Sequence, residues 1–590
     1  MGKLSISDAD ARSNSRRRAV WIRLVLLAAI LLAFGRILTN DFVNWDDRGL
    51  IFANPNIADP TLWGLMHQWN PKNPNNAEMY DPLVYTLWWS LAHVAQLETP
   101  DFQQSKLNPY VFHAASLLVH WLSACVVLEI LRRLKIGDWP AAAGAVIFAI
   151  HPIQTEAVAW ATSMKDLLSG FLGLLAIWRY LVALQTRGGR RKRNYLLATI
   201  CFAAALLSKP STVVVPIIAA VIDRIMYRRS WREIGKWIWP WLAMALGCAV
   251  LTVGVQPLHS VYGGPIWARP LIAMDSLAFY LYKIILPIRL SFDYGRSPTE
   301  VLTDPNLHHP LYWTWVFPLA AAAIIWRIRQ PVITLAGLIF VLGVVTTLGL
   351  KAFVFQYYTT VADRYVYISM LGVALAVGWL MDRYRNPKAI GVFCAIAVVL
   401  TSLSFVQAGR WKDTETLYDY GLGLNKTRGL HYLIFGDYKD HLAAFYFRQA
   451  EAARDRAKIA DETDLIKEGY GYTRQAAELY AEGIKLEPEN TNGYDRLARD
   501  LVRLDRIPEA IEVTRQWMAI EPRIDPALRE KPGTLQAMLG SLYLRNRQYS
   551  QAVAALRRAV QLNPDPQTQA MLEQAEKMMP QTTTRPKNSH

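Results

Sequence analysis

The sequence predicts an all-α protein, a polytopic membrane bundle of about 11 spans followed by a soluble α-solenoid. Three observations lead there. Of 590 residues, 52% are hydrophobic and only 19% are charged. Before about residue 408 the apolar residues gather in long runs, roughly 17–21 residues each, enough to cross ~30 Å of hydrocarbon as helix. Beyond that point the chain is charged, rich in Ala, Glu and Arg, and has no such run.

The runs fall at 20–38, 111–131, 138–152, 164–184, 194–208, 211–227, 237–256, 311–327, 331–350, 365–381 and 389–407. Arg16, Arg17 and Arg18 precede the first, and no small-residue cleavage site follows it, so it reads as an uncleaved span. The stretch 271–290 carries Lys283, Pro287 and Arg289 and reads as a re-entrant or interfacial helix. Basic clusters at Arg12–Arg18, Arg132–Lys135, Arg187–Arg193, Arg228–Arg232, Arg327/Arg329 and Arg383–Lys388 flank the runs and mark cytoplasmic loops. An odd number of spans then puts the two ends on opposite sides of a cytoplasmic (inner) membrane. The expected map is a cytoplasmic tail 1–19, a membrane domain 20–408, a periplasmic or other extracytoplasmic domain 409–579 and a disordered tail 580–590.

The net charge of +16 follows this topology rather than a nucleic-acid surface, so no nucleic acid is expected as a partner. Cys125, Cys201, Cys248 and Cys394 all lie in apolar runs without metal-ligand spacing and read as small hydrophobes.

The non-basic loops collect on the outer face. The largest, 39–110, holds Asp41, Asp46, Asp47, Asp59, Glu78, Asp81, Glu98 and Asp101 against Arg48, Lys72 and Lys106. Its Trp and Tyr residues suit a headgroup zone, with 83–94 as an amphipathic interfacial helix. Three shorter segments share that face: His151–Glu156 running on to Lys165-Asp166, then Ser208-Lys209-Pro210, then Ala362-Asp363-Arg364-Tyr365. By composition alone the adjacent pair Asp46-Asp47 reads first as a polar boundary, though adjacency also allows one general base with a pKa-tuning neighbour. Lys165, Lys209 and Arg364 read as snorkelling anchors, or as cations that hold a phosphate at headgroup depth. Asp46, Asp47 and Glu156 are hard oxygen ligands compatible with a divalent cation, but no ligand spacing assigns a metal.

From about 430 the sequence reads as helix pairs. Glu487-Pro488 and Glu521-Pro522 lie 34 residues apart, the period of a tetratricopeptide repeat, and Asn563-Pro564 closes a third unit after an insertion near Arg523–Glu530. Packing positions are Ala476, Tyr480 and Ile484; Tyr494, Leu497, Ala498, Leu501 and Ala510; and Leu539, Gly540, Tyr543, Tyr549, Ala552, Leu556 and Ala559. Stacked repeats of this kind present a concave face to a partner protein, or act as a spacer.

The ordered set of motifs resembles one family, the GT-C type membrane glycosyltransferases with tetratricopeptide repeats, which include the transmembrane O-mannosyltransferases acting on cadherins and their bacterial relatives. The similar segments are Phe42–Asp47 with Asn54-Pro55, Tyr80–Leu83, His151–Val158, Met164–Ser169, Ser208–Pro210 and Asp363–Tyr367. At Tyr80-Asp81-Pro82 the chain departs from the Trp-His-Pro more usual in bacterial relatives. The resemblance implies a monosaccharide donor on a polyprenyl phosphate, with Asp46-Asp47 supplying the catalytic base and Asp46 favoured. It also makes Glu156 a catalytic candidate, Arg364, Lys165 and Lys209 donor-phosphate ligands, and His151, Asp166, Asp81 and Tyr365 acceptor or donor contacts. The expected activity is an inverting transfer to a hydroxyl, Ser or Thr of an exported protein. Two alternatives stand beside it: a polysaccharide ligase or polymerase acting through the 257–310 loop with Arg269, Arg289 and Arg296, and a non-catalytic scaffold that presents its repeats.

Overall fold

The computed structural model describes residues 6–73, 79–101, 103, 105–255, 264–426, 428–455, 459–523 and 530–579. Glu78, most of the insertion before Glu530 and the tail beyond 579 lie outside them. The described chain is helical throughout, with one isolated β-bridge between Gln96 and Leu107. It divides into two compact units, Met1–Asn425 and Lys426–His590.

Among the described residues of the first unit, seven helical segments are long and apolar enough to cross a membrane: Arg17–Thr39, Pro109–Arg133, Ala161–Leu184, Pro210–Tyr227, Trp231–Val253, Pro305–Ile328 and Pro387–Trp411. An eighth is a broken pair, Asp138–Ile150 and Pro152–Ala159, bent by 50°. The other runs also fold as helices, but not as long apolar ones. Arg190–Arg193 dilute the start of Gly188–Ser208, and the run at 365–381 yields only the 14-residue helix Met370–Arg383. Pro331–Thr347 is a shorter apolar helix.

Local chemistry sets the helix ends. Asn108, Asn386 and Asp413 accept backbone N–H groups of the following first turn, and Pro stands at the start after Asn108 and Asn386. The helix expected at 83–94 is present as Pro82–Ala95, with Val84, Trp88 and Ala92 buried. The stretch read as re-entrant or interfacial forms Arg269–Ile285, which ends where the buried Lys283 ammonium donates to the carbonyls of Ile288 and Arg289.

Two glycines allow helices of this unit to touch backbone to backbone. A Cβ on Gly144 would overlap the carbonyl oxygen of Ala374, and one on Gly372 would overlap that of Ala336. Gly144→Ala or Gly372→Ala is therefore expected to destabilise the purified protein by about 1–3 kcal/mol, read as a lower thermal midpoint in detergent. Gly391, whose Cβ would meet nothing within 4 Å, is the control.

The second unit stacks helices in chain order, from Gly429–Asp455 and Ile459–Leu486 through Thr491–Arg503, Ile507–Ile520, Thr534–Arg545 and Tyr549–Leu562 to Pro566–Met578. The packing positions read from the sequence are buried, apart from Tyr549, which is half-buried. Gly540 is required by closeness, since a Cβ there would lie 2.5 Å from Leu556 Cγ.

Candidate active site

The site is built where irregular segments meet at one end of the membrane unit. The loop that leaves the first helix is pinned from the far end of that unit. Asp41 N–H donates to the Lys412 carbonyl at 2.8 Å, the Asn40 amide to Trp411 O at 2.8 Å, and Asn44 N–H to Thr414 Oγ1 at 2.9 Å. Residues 409–425, expected in the soluble domain, thus belong with the membrane unit.

Within the pinned loop the two aspartates have different environments. Asp47 is 1% exposed and both of its carboxylate oxygens accept hydrogen bonds. Oδ2 takes the Val43 N–H at 3.0 Å; Oδ1 takes the Thr162 N–H at 2.9 Å and the Thr162 hydroxyl at 2.6 Å. Burial nevertheless pushes its pKa up to about 7, against the pull of these donors. Asp46 is partly exposed, and its carboxylate receives no hydrogen bond among the described residues. Burial raises its pKa, and the nearby Lys165 and Arg364 charges oppose that rise.

The second side of the site comes from the broken span. His151-Pro152 ends one helix, and Pro152–Gln154 and Thr155–Ala159 form two short turns that carry Glu156 inward. Glu156 is 2% exposed and holds Arg364 at both ends, accepting its backbone N–H at 2.9 Å and pairing with its guanidinium. The guanidinium carbon lies 4.3 Å from the Phe355 ring centroid and 5.1 Å from that of Trp160. Trp160 stacks in turn on Trp411 at 5.9 Å.

Lys165 and Asp166 open the helix Met164–Leu184. Lys209 Nζ donates to Asp166 Oδ1 at 2.5 Å and lies 5.6 Å from the Tyr365 ring. Lys165 makes no ion pair or hydrogen bond among the described residues, yet its charge reaches both Asp46 and Asp81. Asp81 is 3% exposed; burial raises its pKa to about 6, against the pull of Lys165 and Lys209. A small polar cavity follows, lined by Asp166, Lys209, Thr346, Arg364 and Tyr365. A separate apolar groove of about 810 Å³ lies between Leu277, Ala321, Ile325 and Val341, with Phe340 and Gly372 in its lining.

The structure therefore brings together Asp46, Asp47, Asp81, Glu156, Lys165, Asp166, Lys209, Arg364 and Tyr365. His151 stands apart. Its Nδ1 accepts the Ile153 N–H at 3.2 Å and its Nε2 lies 3.0 Å from Ile284 O, so both ring nitrogens serve the backbone break. Glu156 is paired with Arg364, and Asp47 accepts hydrogen bonds from Val43 and Thr162. Thr162, Trp160 and Trp411 were not singled out in the sequence; the only signal for the first two was a polar and aromatic interruption, Trp160–Ser163, between apolar segments. Among the described residues no group of three or more His, Cys, Asp or Glu is disposed to hold a metal ion. In the 257–310 loop, Arg296 pairs with Asp275 and Arg269 donates to Gly264 O, both local uses.

No family model matches the chain. It is similar to a protein O-mannosyl-transferase of Caenorhabditis elegans, 21% identical over 456 residues, covering 73% of this chain and 62% of that protein. A Drosophila melanogaster protein O-mannosyl-transferase is 27% identical over 279 residues, covering 44% of this chain and 29% of its own length. The chain thus spans less than two thirds of either relative. Among solved structures, the Archaeoglobus fulgidus oligosaccharyltransferase aligns with 67% of this chain and 56% of its own, at 13% identity and a TM-score of 0.37.

Proposed function

We propose that this chain is an inverting membrane glycosyltransferase that moves one sugar from a polyprenyl phosphate to the hydroxyl of an exported protein. The observation that carries it is the free Asp46 carboxylate held beside Lys165 and Arg364. In this reading Asp46 takes the acceptor hydroxyl proton as the oxygen attacks the anomeric carbon. The bond from that carbon to the phosphate oxygen breaks, and the polyprenyl phosphate leaves with the electron pair. Arg364, Lys165 and Lys209 meet the charge that grows on the leaving phosphate in a largely buried site. The cations that line the polar cavity meet the phosphate, and the apolar groove takes the first isoprene units. Buried Trp160 Nε1 and Ser163 Oγ lack protein partners among the described residues and are available to sugar or acceptor hydroxyls. The second unit is read as tetratricopeptide repeats that bind or space the acceptor outside the cytoplasm.

The test is mass spectrometry of exported proteins from cells with and without the chain. One sugar-sized mass difference on Ser or Thr is expected; identical masses would remove the proposal. The pH profile gives a second check. A base acts deprotonated, so transfer should rise with pH through the Asp46 pKa, which burial raises from its ordinary value. Lys165 favours the anion, so Lys165→Met is expected to move this acid limb to still higher pH, measured as kcat/KM against pH.

A further inference from the structure

A second basic site lies at the same end of the membrane unit, beside the turn that carries Trp411. The first helix and the helix Pro387–Ala408 pack together, and each ends in a 3-10 turn carrying an arginine, Arg36 and Arg410. Between these turns opens a cavity of about 540 Å³, lined by Arg36, Arg410, Thr416, Tyr420, Val406 and the carboxylate residue Asp419.

The two guanidiniums are held without a carboxylate pair. Arg36 Nη1 donates to the Phe405 carbonyl at 3.2 Å, and its guanidinium carbon stands 4.8 Å from the Phe405 ring. It also lies flat on Gly409, where a Cβ would overlap it. Arg410 lies 3.8 Å from the Tyr420 ring centroid and forms no ion pair or hydrogen bond among the described residues. Stacking on a ring fixes the plane of a guanidinium while leaving its N–H edge to a ligand. One turn earlier on each helix stand Leu32, 67% exposed, and Val406, 51% exposed, and Phe405 is 46% exposed. These exposed apolar side chains belong to segments long and apolar enough to cross a membrane. Two cations thus sit at the rim of an acyl-chain surface, under a roof formed by the helix Thr414–Leu424.

We propose that this cavity binds the phosphate of an anionic glycerophospholipid, with one acyl chain lying along Leu32 and Val406. Two fork-shaped donors a short distance above hydrocarbon match a phosphodiester tied to a chain, whereas a free anion would gain nothing from the apolar shoulder. Mere snorkelling of the two arginines to the interface would show no preference for lipid charge.

The test is native mass spectrometry of the full chain in detergent, titrated with phosphatidylglycerol, with phosphatidylcholine, and with phosphatidylglycerol in excess inorganic phosphate. Phosphatidylglycerol should bind roughly tenfold more tightly than phosphatidylcholine and withstand inorganic phosphate. Arg410→Gln, whose side chain touches only a ring, should weaken phosphatidylglycerol roughly tenfold, the ratio for about 1.4 kcal/mol lost with one charged hydrogen-bond donor. Gly409→Ala, which displaces the Arg36 guanidinium, should act in the same direction. Thermal midpoints in detergent separate lost binding from lost folding. Equal binding of the two lipids, displacement by inorganic phosphate, or unchanged binding in a folded Arg410→Gln protein would each overturn the site.

Discussion

Asp46→Asn is expected to lower kcat/KM for sugar transfer by roughly 10²–10⁴-fold while leaving the thermal midpoint in detergent unchanged. The amide has nearly the shape of the carboxylate but cannot take up a proton from an attacking hydroxyl. No hydrogen bond of the described residues ends on the Asp46 carboxylate, so little folding energy rests on it. Asp47→Asn should behave differently. Its carboxylate accepts two N–H groups and a hydroxyl in a site that is 1% exposed, and an amide offers an N–H where an acceptor is needed. One buried donor left unmade costs about 1–3 kcal/mol, so this variant should melt lower as well as transfer more slowly. Transfer rate and melting temperature together separate the base from the brace. A fully active Asp46→Asn protein would sink the assignment, and an inactive Asp47→Asn protein of wild-type stability would reverse the two roles.

The difference between the two aspartates could not be read from the chain alone. Adjacency gives two carboxylates the same local sequence context. What distinguishes them is Thr162, more than a hundred positions away, which reaches one and not the other. The charges that tune Asp46 were legible, because basic residues at span ends fall on one face once the spans are counted. Their pairing was not: the sequence reads Lys209 as a snorkelling anchor or a phosphate-holding cation, and the structure buries it against Asp166. Periodicity carries information about length and face but not about which ends meet.

The same contrast holds for the fold. Long apolar runs and the 34-residue spacing are properties of neighbouring residues, and each became a helix where the sequence places one. The broken span is intermediate: Pro152 makes the break visible, whereas the 50° bend and the contact of His151 with the backbone of a distant helix are not visible in the sequence. The end of the membrane unit is less legible still. Hydropathy stops near residue 408, but Trp411, Thr414 and Tyr418 continue into the first unit through contacts with residues some 370 positions earlier.

The largest effect on stability is expected at the Glu156–Arg364 pair. Both side chains are under 10% exposed, and Arg364 is enclosed by Trp160, Phe355 and Tyr365, so neither charge has water to fall back on. Removing one partner strands the other, at a cost of about 3–5 kcal/mol, so Glu156→Leu and Arg364→Met should each unfold or melt far below the parent protein. Removing both is a different experiment. Burial of an ion pair contributes little net stability over well-packed apolar groups, so the Glu156→Leu, Arg364→Met double variant should recover much of the midpoint lost by either single change. The proposed reaction makes the opposite demand. Arg364 is needed there for the charge that develops on the departing phosphate, an interaction worth roughly 10²–10³-fold in rate. A stable double variant that stays inactive would show Arg364 acting on the leaving group; one that regains transfer together with its stability would reduce the pair to scaffolding and leave Lys165 and Lys209 to meet the phosphate.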